Sequence, residues 1–242
     1  MESNISGQNN WLLAHYLPVS LFSLRMSCST NKGGKTLFVP TPYSFKLAMV
    51  DAAFRMGDEG LAGKVFDLIK AKDIRFKPPK HLTVQNTFIK IKQEDREDAS
   101  GVYNPTIAYR EFCFFKGQLT IAIDASGLET EAKELLWRVL AHINYLGKRG
   151  SFWQFMKWEE AATLPDGFTV PDTVKEFRID GYGVIQQLDD IGETDSKDIF
   201  DRINTYSDKP IVLGKHRVIT YTFLPYKVKQ SSKEYTYYEG KG

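Results

Sequence analysis

The sequence predicts an α+β protein, and three observations carry that expectation. Apolar residues recur at helical spacing in three stretches, β-formers alternate with polar residues in several others, and prolines and glycines punctuate the changes between them. A chain of 242 residues, 42% hydrophobic and 13% aromatic, can bury a substantial core, which excludes a disordered protein.

The elements follow in order. Residues 1–10 are polar and expected to fray, and residues 11–26 read as a long first strand that Pro18 bends. A flexible basic loop of Lys32, Gly33, Gly34 and Lys35 comes next. Thr41 as N-cap and Pro42 at the first helical position open a largely apolar helix that Gly57 ends. A second helix over 59–71 places Leu61, Val65, Leu68 and Ile69 on one face.

Pro78 and Pro79 then switch the chain to strand. Strands are expected over 82–92 and 108–115, with an acidic loop between them, and Lys116-Gly117 turns the chain into a strand over 118–124. Residues 131–146 read as a third helix that runs into Gly147, the αL stop that helix ends favour. A strand over 152–158 follows. The region to Asp201 is expected as outer loops, with a last strand over 212–224 and an extended basic segment over 227–238. Strand, helices, strands, helix and strand in this order are compatible with a ferredoxin-like domain, as they are with a three-stranded meander carrying helices.

The net charge of +2 hides a strong segregation. Between Glu2 and Asp51 there is no acid, while Arg25, Lys32, Lys35 and Lys46 are present. Residues 75–92 carry Arg75, Lys77, Lys80, Lys90 and Lys92 without an acid, and 209–233 repeat the pattern. The stretch Gly147-Lys148-Arg149-Gly150-Ser151 fixes two more cations beside an element end. Such clusters suit an anionic partner, nucleic acid first, although solvated faces and a cation-decorated helix end produce the same strings. Aromatics interleave with the cations at Tyr43, Tyr109, Phe112, Phe152, Trp153, Tyr226 and the Tyr235-Thr236-Tyr237-Tyr238 run, the combination that holds single strands by stacking, although most of these rings are expected to pack in core or sheet and one or two to stack.

Other chemistries find little support. Gly34-Lys35-Thr36 ends like a P-loop, but Ser29 stands where the motif needs glycine and no helix opens after Thr36. His15, His81, His142 and His216 show no metal-ligand spacing, and Cys28 and Cys113 form no zinc pattern or disulfide framework, so no metal or cofactor is expected and a cytoplasmic setting is. No stretch reads as a membrane span. His81 beside Lys80 could act as a general base on a ribose hydroxyl, and Gln85 and Asn86, just beyond in sequence, are candidates to read bases of a bound RNA by hydrogen bonds.

Three blocks carry a family resemblance. Val39-Pro40-Thr41-Pro42-Tyr43-Ser44-Phe45 after a first strand, Tyr145-Leu146-Gly147-Lys148-Arg149-Gly150-Ser151, and Val218-Ile219-Thr220-Tyr221-Thr222-Phe223-Leu224-Pro225-Tyr226 resemble segments of the small RAMP-superfamily subunit of CRISPR Cascade complexes, which caps the guide RNA's 5′ handle. The resemblance implies a ferredoxin-like (RRM-like) domain over 1–158, a β-hairpin thumb inserted at about 80–116, and a strand-rich extension over 159–242. It implies a non-catalytic role on the crRNA 5′ handle, contacts with the backbone and large subunits, and target DNA as a further partner. Lys148, Arg149 and Ser151 would hold phosphates in the glycine turn, with Arg25 and Lys46 as candidates by position. One branch of the family processes guide RNA with a Tyr/His/Lys set, which keeps a metal-independent endoribonuclease as the alternative. A structural protein without RNA is the third reading.

Overall fold

The computed structural model describes residues 11–26, 33–94, 103–147, 150–195, 198–204 and 207–241. It is a mixed α/β structure with antiparallel sheets. Its elements are β1 (Trp11–Pro18), β2 (Gly33–Gly34), α1 (Pro42–Met56), α2 (Glu59–Ile69), β3 (Ile74–Lys77), β4 (His81–Glu94), β5 (Tyr103–Phe115) and β6 (Leu119–Asp124). Then come α3 (Thr130–Ala141), β7 (Trp153–Ala161), β8 (Val184–Ile191), α4 (Ile199–Ile203), β9 (Arg217–Leu224), β10 (Tyr226–Ser231) and β11 (Tyr235–Gly240).

The first sheet has the order β3-β6-β1-β7, antiparallel throughout. Central β1 is apolar at every buried position but His15 because both of its faces are covered. Leu12, Ala14 and Tyr16 enter the main core, where the Tyr16 hydroxyl donates to Leu140 O at 2.7 Å. Trp11 and Leu13 pack on the other face with Ala122, beneath Leu164 and Phe168.

Helix α1 starts as its sequence dictates. The Thr41 side chain accepts from Ser44 N, and the Ser44 hydroxyl accepts from Thr41 N, both at 3.1 Å, so two otherwise orphaned donors are satisfied reciprocally. Gly57 caps the far end through Ala53 O.

The second sheet has the order β10-β11-β4-β5-β2. The long β4–β5 hairpin forms its centre, from Leu82 opposite Phe115 to Glu94 opposite Tyr103. Its base joins the core through Leu82, Val84, Cys113 and Phe115. A third pair, β8–β9, packs on α1.

Four sequence expectations change. The first strand stops at Pro18, and residues 19–26 continue only through isolated bridges, Phe22 to Cys113 and Arg25 to Thr36. Helix α3 stops at Ala141, so Gly147 is not its cap. Ile143 and Leu146 are buried as their apolar spacing suggests, yet on non-helical backbone: Trp153 N donates to Asn144 O and Leu146 N to Ser151 O, which closes a turn in place of another helical coil. Lys116-Gly117 does turn, with Gly117 at φ +137°, but β5 and β6 then part into different sheets. The acidic stretch before Asp201 contains the largely buried strand β8, whose polar residues are matched: Gln186 accepts from Phe38 N, Asp189 pairs with Arg217, and Asp190 pairs with Lys46.

Candidate nucleic-acid interface

Three segments distant in sequence meet around Leu24, beside the hairpin. Thr36 is the knot. Its hydroxyl accepts from Leu24 N and donates to Leu37 O, both at 3.0 Å, while Leu37 N donates to Leu24 O at 2.7 Å. Thr36 N donates to the Glu111 carboxylate at 3.0 Å, which ties the same segment to β5. Gly33 and Gly34 run parallel to Tyr109 and Arg110, and a Cβ on Gly34 would stand 2.7 Å from Arg110 Cδ. From the other side comes Gly147, at φ +75°, where a Cβ would lie 2.8 Å from Leu24 Cδ2. Positive φ and close approach both demand glycine here. Gly150 also has positive φ, in open space, and Ser151, next in the chain, is buried.

The junction therefore brings together Arg25, Gly33, Gly34, Lys35, Gly147, Gly150 and Ser151, with Arg25 and Lys35 exposed. Lys32, Lys148, Arg149 and Cys28 lie outside the described residues.

The hairpin sorts its candidates by face. Asn86, Phe88 and Lys90 share the face of Glu111 and Tyr109, towards the junction. Phe88 is 72% exposed and meets the Tyr109 ring edge-on at 5.6 Å, so an apolar pair stands in solvent beyond the core. The Asn86 side chain donates to Lys233 O at 3.4 Å, at the β10–β11 turn. His81 and Gln85 face the other way, alongside the β11 tyrosines. His81 Nδ1 is 2.8 Å from the Tyr237 hydroxyl, and Lys80 and Lys229 both pair with Glu239. The Lys229 hydrogen bond holds the Glu239 carboxyl below the usual carboxylate range and raises Lys229 in turn.

Two candidates belong to the interior. Lys46 is 1% exposed, and its ammonium donates to Lys70 O at 2.9 Å and to Asp190 at 2.7 Å. Its basic charge is spent on holding β8, so it corrects the expectation of a phosphate contact. Tyr43 is buried under the Arg217 guanidinium, 4.5 Å from its ring centroid, and offers no face for stacking. Burial pushes its hydroxyl above the ordinary value.

No group of histidine, cysteine or acidic side chains able to hold a metal occurs among the described residues. No described helix is long and apolar enough to cross a membrane.

Against this geometry stands one curated relative, the CRISPR-associated protein Cas5 of Archaeoglobus fulgidus, 24% identical over 196 residues that cover 78% of this chain and 82% of that protein. Over most of both chains, this protein is similar to a CRISPR-associated Cas5 protein. The resemblance read in the sequence is thereby borne out. Two solved structures are also similar. A crystal structure of a CRISPR protein from Archaeoglobus fulgidus is 13% identical with a TM-score of 0.48, covering 96% of this chain and 92% of that one. A chain of a CRISPR RNA-guided surveillance complex is 14% identical with a TM-score of 0.41, covering 88% of each. No family model matches.

Sequence reasoning named most of the cations around the junction but missed its organisers. Thr36 and Leu24 carry no chemistry by type; only their mutual hydrogen bonds reveal them. Lys229 and Tyr237 belonged to recognised basic and aromatic runs, without any signal that β11 pairs with β4 and delivers them to His81.

Proposed function

We propose that this chain is an RNA-binding subunit of a CRISPR interference complex and that it holds the crRNA 5′ handle at the junction around Leu24. The observation that carries the reading is the meeting of residues 22–26, residues 33–37 and Gly147 at the root of an exposed hairpin. Gly147 and Gly150, both exposed, let backbone approach a phosphodiester strand closely, and Arg25 and Lys35 add charge to the sequence's Lys148 and Arg149. The hairpin, with Phe88 and Tyr109 beyond the core, serves as a thumb reaching between nucleotides.

The fold reading goes with it. The order β7-β1-β6-β3, with α1 and α2 between β1 and β3 and α3 between β6 and β7, is what a ferredoxin-like core interrupted by a thumb requires. Residues 1–158 then form the RAMP domain and 159–242 an extension, with the backbone and large subunits of the complex as partners and target DNA within its reach. Its place is the cytoplasm.

The test is the salt dependence of guide binding. For single strands log K falls with log salt at a slope of about −0.7 per neutralised phosphate. Lys148→Ala with Arg149→Ala should weaken handle binding and flatten the slope; an unchanged slope removes those residues from the site.

A second reading has its own observation. His81 in contact with the Tyr237 hydroxyl, beside Lys80, supplies a base and cations of the kind RNA cleavage uses. Incubation of the protein with repeat RNA in EDTA separates the two: a scaffold leaves the RNA whole, and an endoribonuclease cuts it unless His81 is replaced.

A further inference from the structure

The reverse of the hairpin, turned away from the junction, carries a feature that handle binding does not use. Strands β11, β4 and β5 align their outward residues in rows. Tyr235 stands opposite Gln85, which stands opposite Phe112; one pleat along, Tyr237 stands opposite Thr83, which stands opposite Phe114. Each row is thus a polar residue between two aromatic rings. Alternate residues of these strands, Leu82, Val84, Cys113 and Phe115, point into the core, so the rings point outward by register. Phe114 is 50% exposed, and Gln85 is exposed between Tyr235 and Phe112.

An outward sheet face ordinarily presents polar side chains to water. Four rings in two rows depart from that, and the rest of the face says what they suit. Lys80 and Lys229 stand at its edge, two cations around one carboxylate, Glu239, which Lys80 approaches at 3.7 Å and Lys229 at 3.0 Å. The surplus is positive. Rows two residues apart along a strand are about 6.8 Å apart, a step that an extended single strand can match from base to base. Sheets that bind single-stranded nucleic acid use such outward rings to stack two or three bases, with cations on the phosphates.

We propose that this outward face is a stacking platform for single-stranded nucleic acid, seating one unpaired base on the Tyr237/Phe114 row and the next on the Tyr235/Phe112 row, with Gln85 placed to hydrogen-bond a base edge. The shared chemistry is an unpaired base with its phosphate, whether from RNA or from DNA. The platform lies back to back with the junction and goes beyond the handle reading, on which it does not depend.

The test uses the full chain, with fluorescence anisotropy on two short labelled oligonucleotides, one RNA and one DNA, neither carrying the repeat. Phe112→Leu with Tyr235→Leu keeps apolar bulk and removes the rings. It should weaken binding at least about tenfold, whereas Phe112→Tyr with Tyr235→Phe should bind as the parent does. A loss confined to RNA identifies a guide or transcript as the source, and a loss confined to DNA a target strand; either supports the platform. Leucine variants that bind both oligonucleotides like the parent overturn it. So does failure of those variants to enter the assembled complex while their oligonucleotide affinity is unchanged, because the face would then dock protein. Lys148→Ala with Arg149→Ala, measured in parallel on repeat RNA, reports on the handle site separately, so either site can fail without the other.

Discussion

The Lys46 ammonium, 1% exposed inside α1, reaches the Asp190 carboxylate of β8 at 2.7 Å, and this pair fastens the β8–β9 hairpin to the helix. Burial lowers the lysine and raises the aspartic acid from their ordinary values, each opposed by attraction to the other. Removing one partner strands a buried charge. Lys46→Met should therefore destabilise the protein by about 3–5 kcal/mol, while Lys46→Met with Asp190→Leu should recover most of that loss in denaturant titrations.

The same pair predicts a pH dependence. A carboxyl whose native pKa lies above its unfolded value binds more protons folded than unfolded, so its contribution to stability falls as pH rises between those two values. Without Lys46 the Asp190 value climbs further and the window widens. The deficit of Lys46→Met relative to the parent should thus be smaller at acid pH than at neutral pH. A deficit that is independent of pH would mean that Asp190 does not feel the lysine.

Gly147 sets how closely the backbone there approaches Leu24. Gly147→Ala adds left-handed strain and a methyl 2.8 Å from Leu24 Cδ2. It should cost about 1–2 kcal/mol from backbone strain alone, read as a lowered melting temperature. Guide binding measured below that temperature should weaken as well, since Gly147 must back away from Leu24.

Thr36→Val keeps the shape of the side chain and deletes its hydroxyl. Leu24 N loses its acceptor in a buried setting, at a cost of about 1–3 kcal/mol. Hydrogen exchange should rise at the amides of Leu24 and Leu37 while those of β1 stay protected. Uniform acceleration across the chain would show that Thr36 supports the whole fold and not the junction.

Cys113 is fully buried, and burial pushes its thiol far above the ordinary range. The thiolate is the reactive form, so the peptide containing Cys113 should escape alkylation in the native protein and react in denaturant. Labelling under native conditions, read by mass spectrometry, would mean that the hairpin base opens.

What the sequence made legible was local. Thr41 and Pro42 announced α1 because capping needs only neighbours, and the apolar stripes of α1 and α2 announced themselves by spacing. Gly147 was recognisable as a left-handed glycine, but Ile143 and Leu146 continued the helical stripe and concealed that α3 had already ended. Long-range pairings left no mark. Lys46 read as an available cation since Asp190 is 144 residues away, and His81 read as solitary since Tyr237 is 156 residues away. The grouping of Arg25, Lys35 and Gly147 likewise depends on Thr36 and Leu24, whose residue types advertise nothing. Lys148 and Arg149 remain sequence candidates whose role the handle-binding titration decides.

Residues 235–239 pair with residues 81–85, so the central hairpin gains its second neighbour only after everything through β11 has left the ribosome. Until then the inner edge of β4 is an open row of amides and carbonyls, a template for the wrong strand. Synthesis of this chain should accordingly leave a vulnerable nascent intermediate, which binding of chaperones or of an assembly partner during translation would shield.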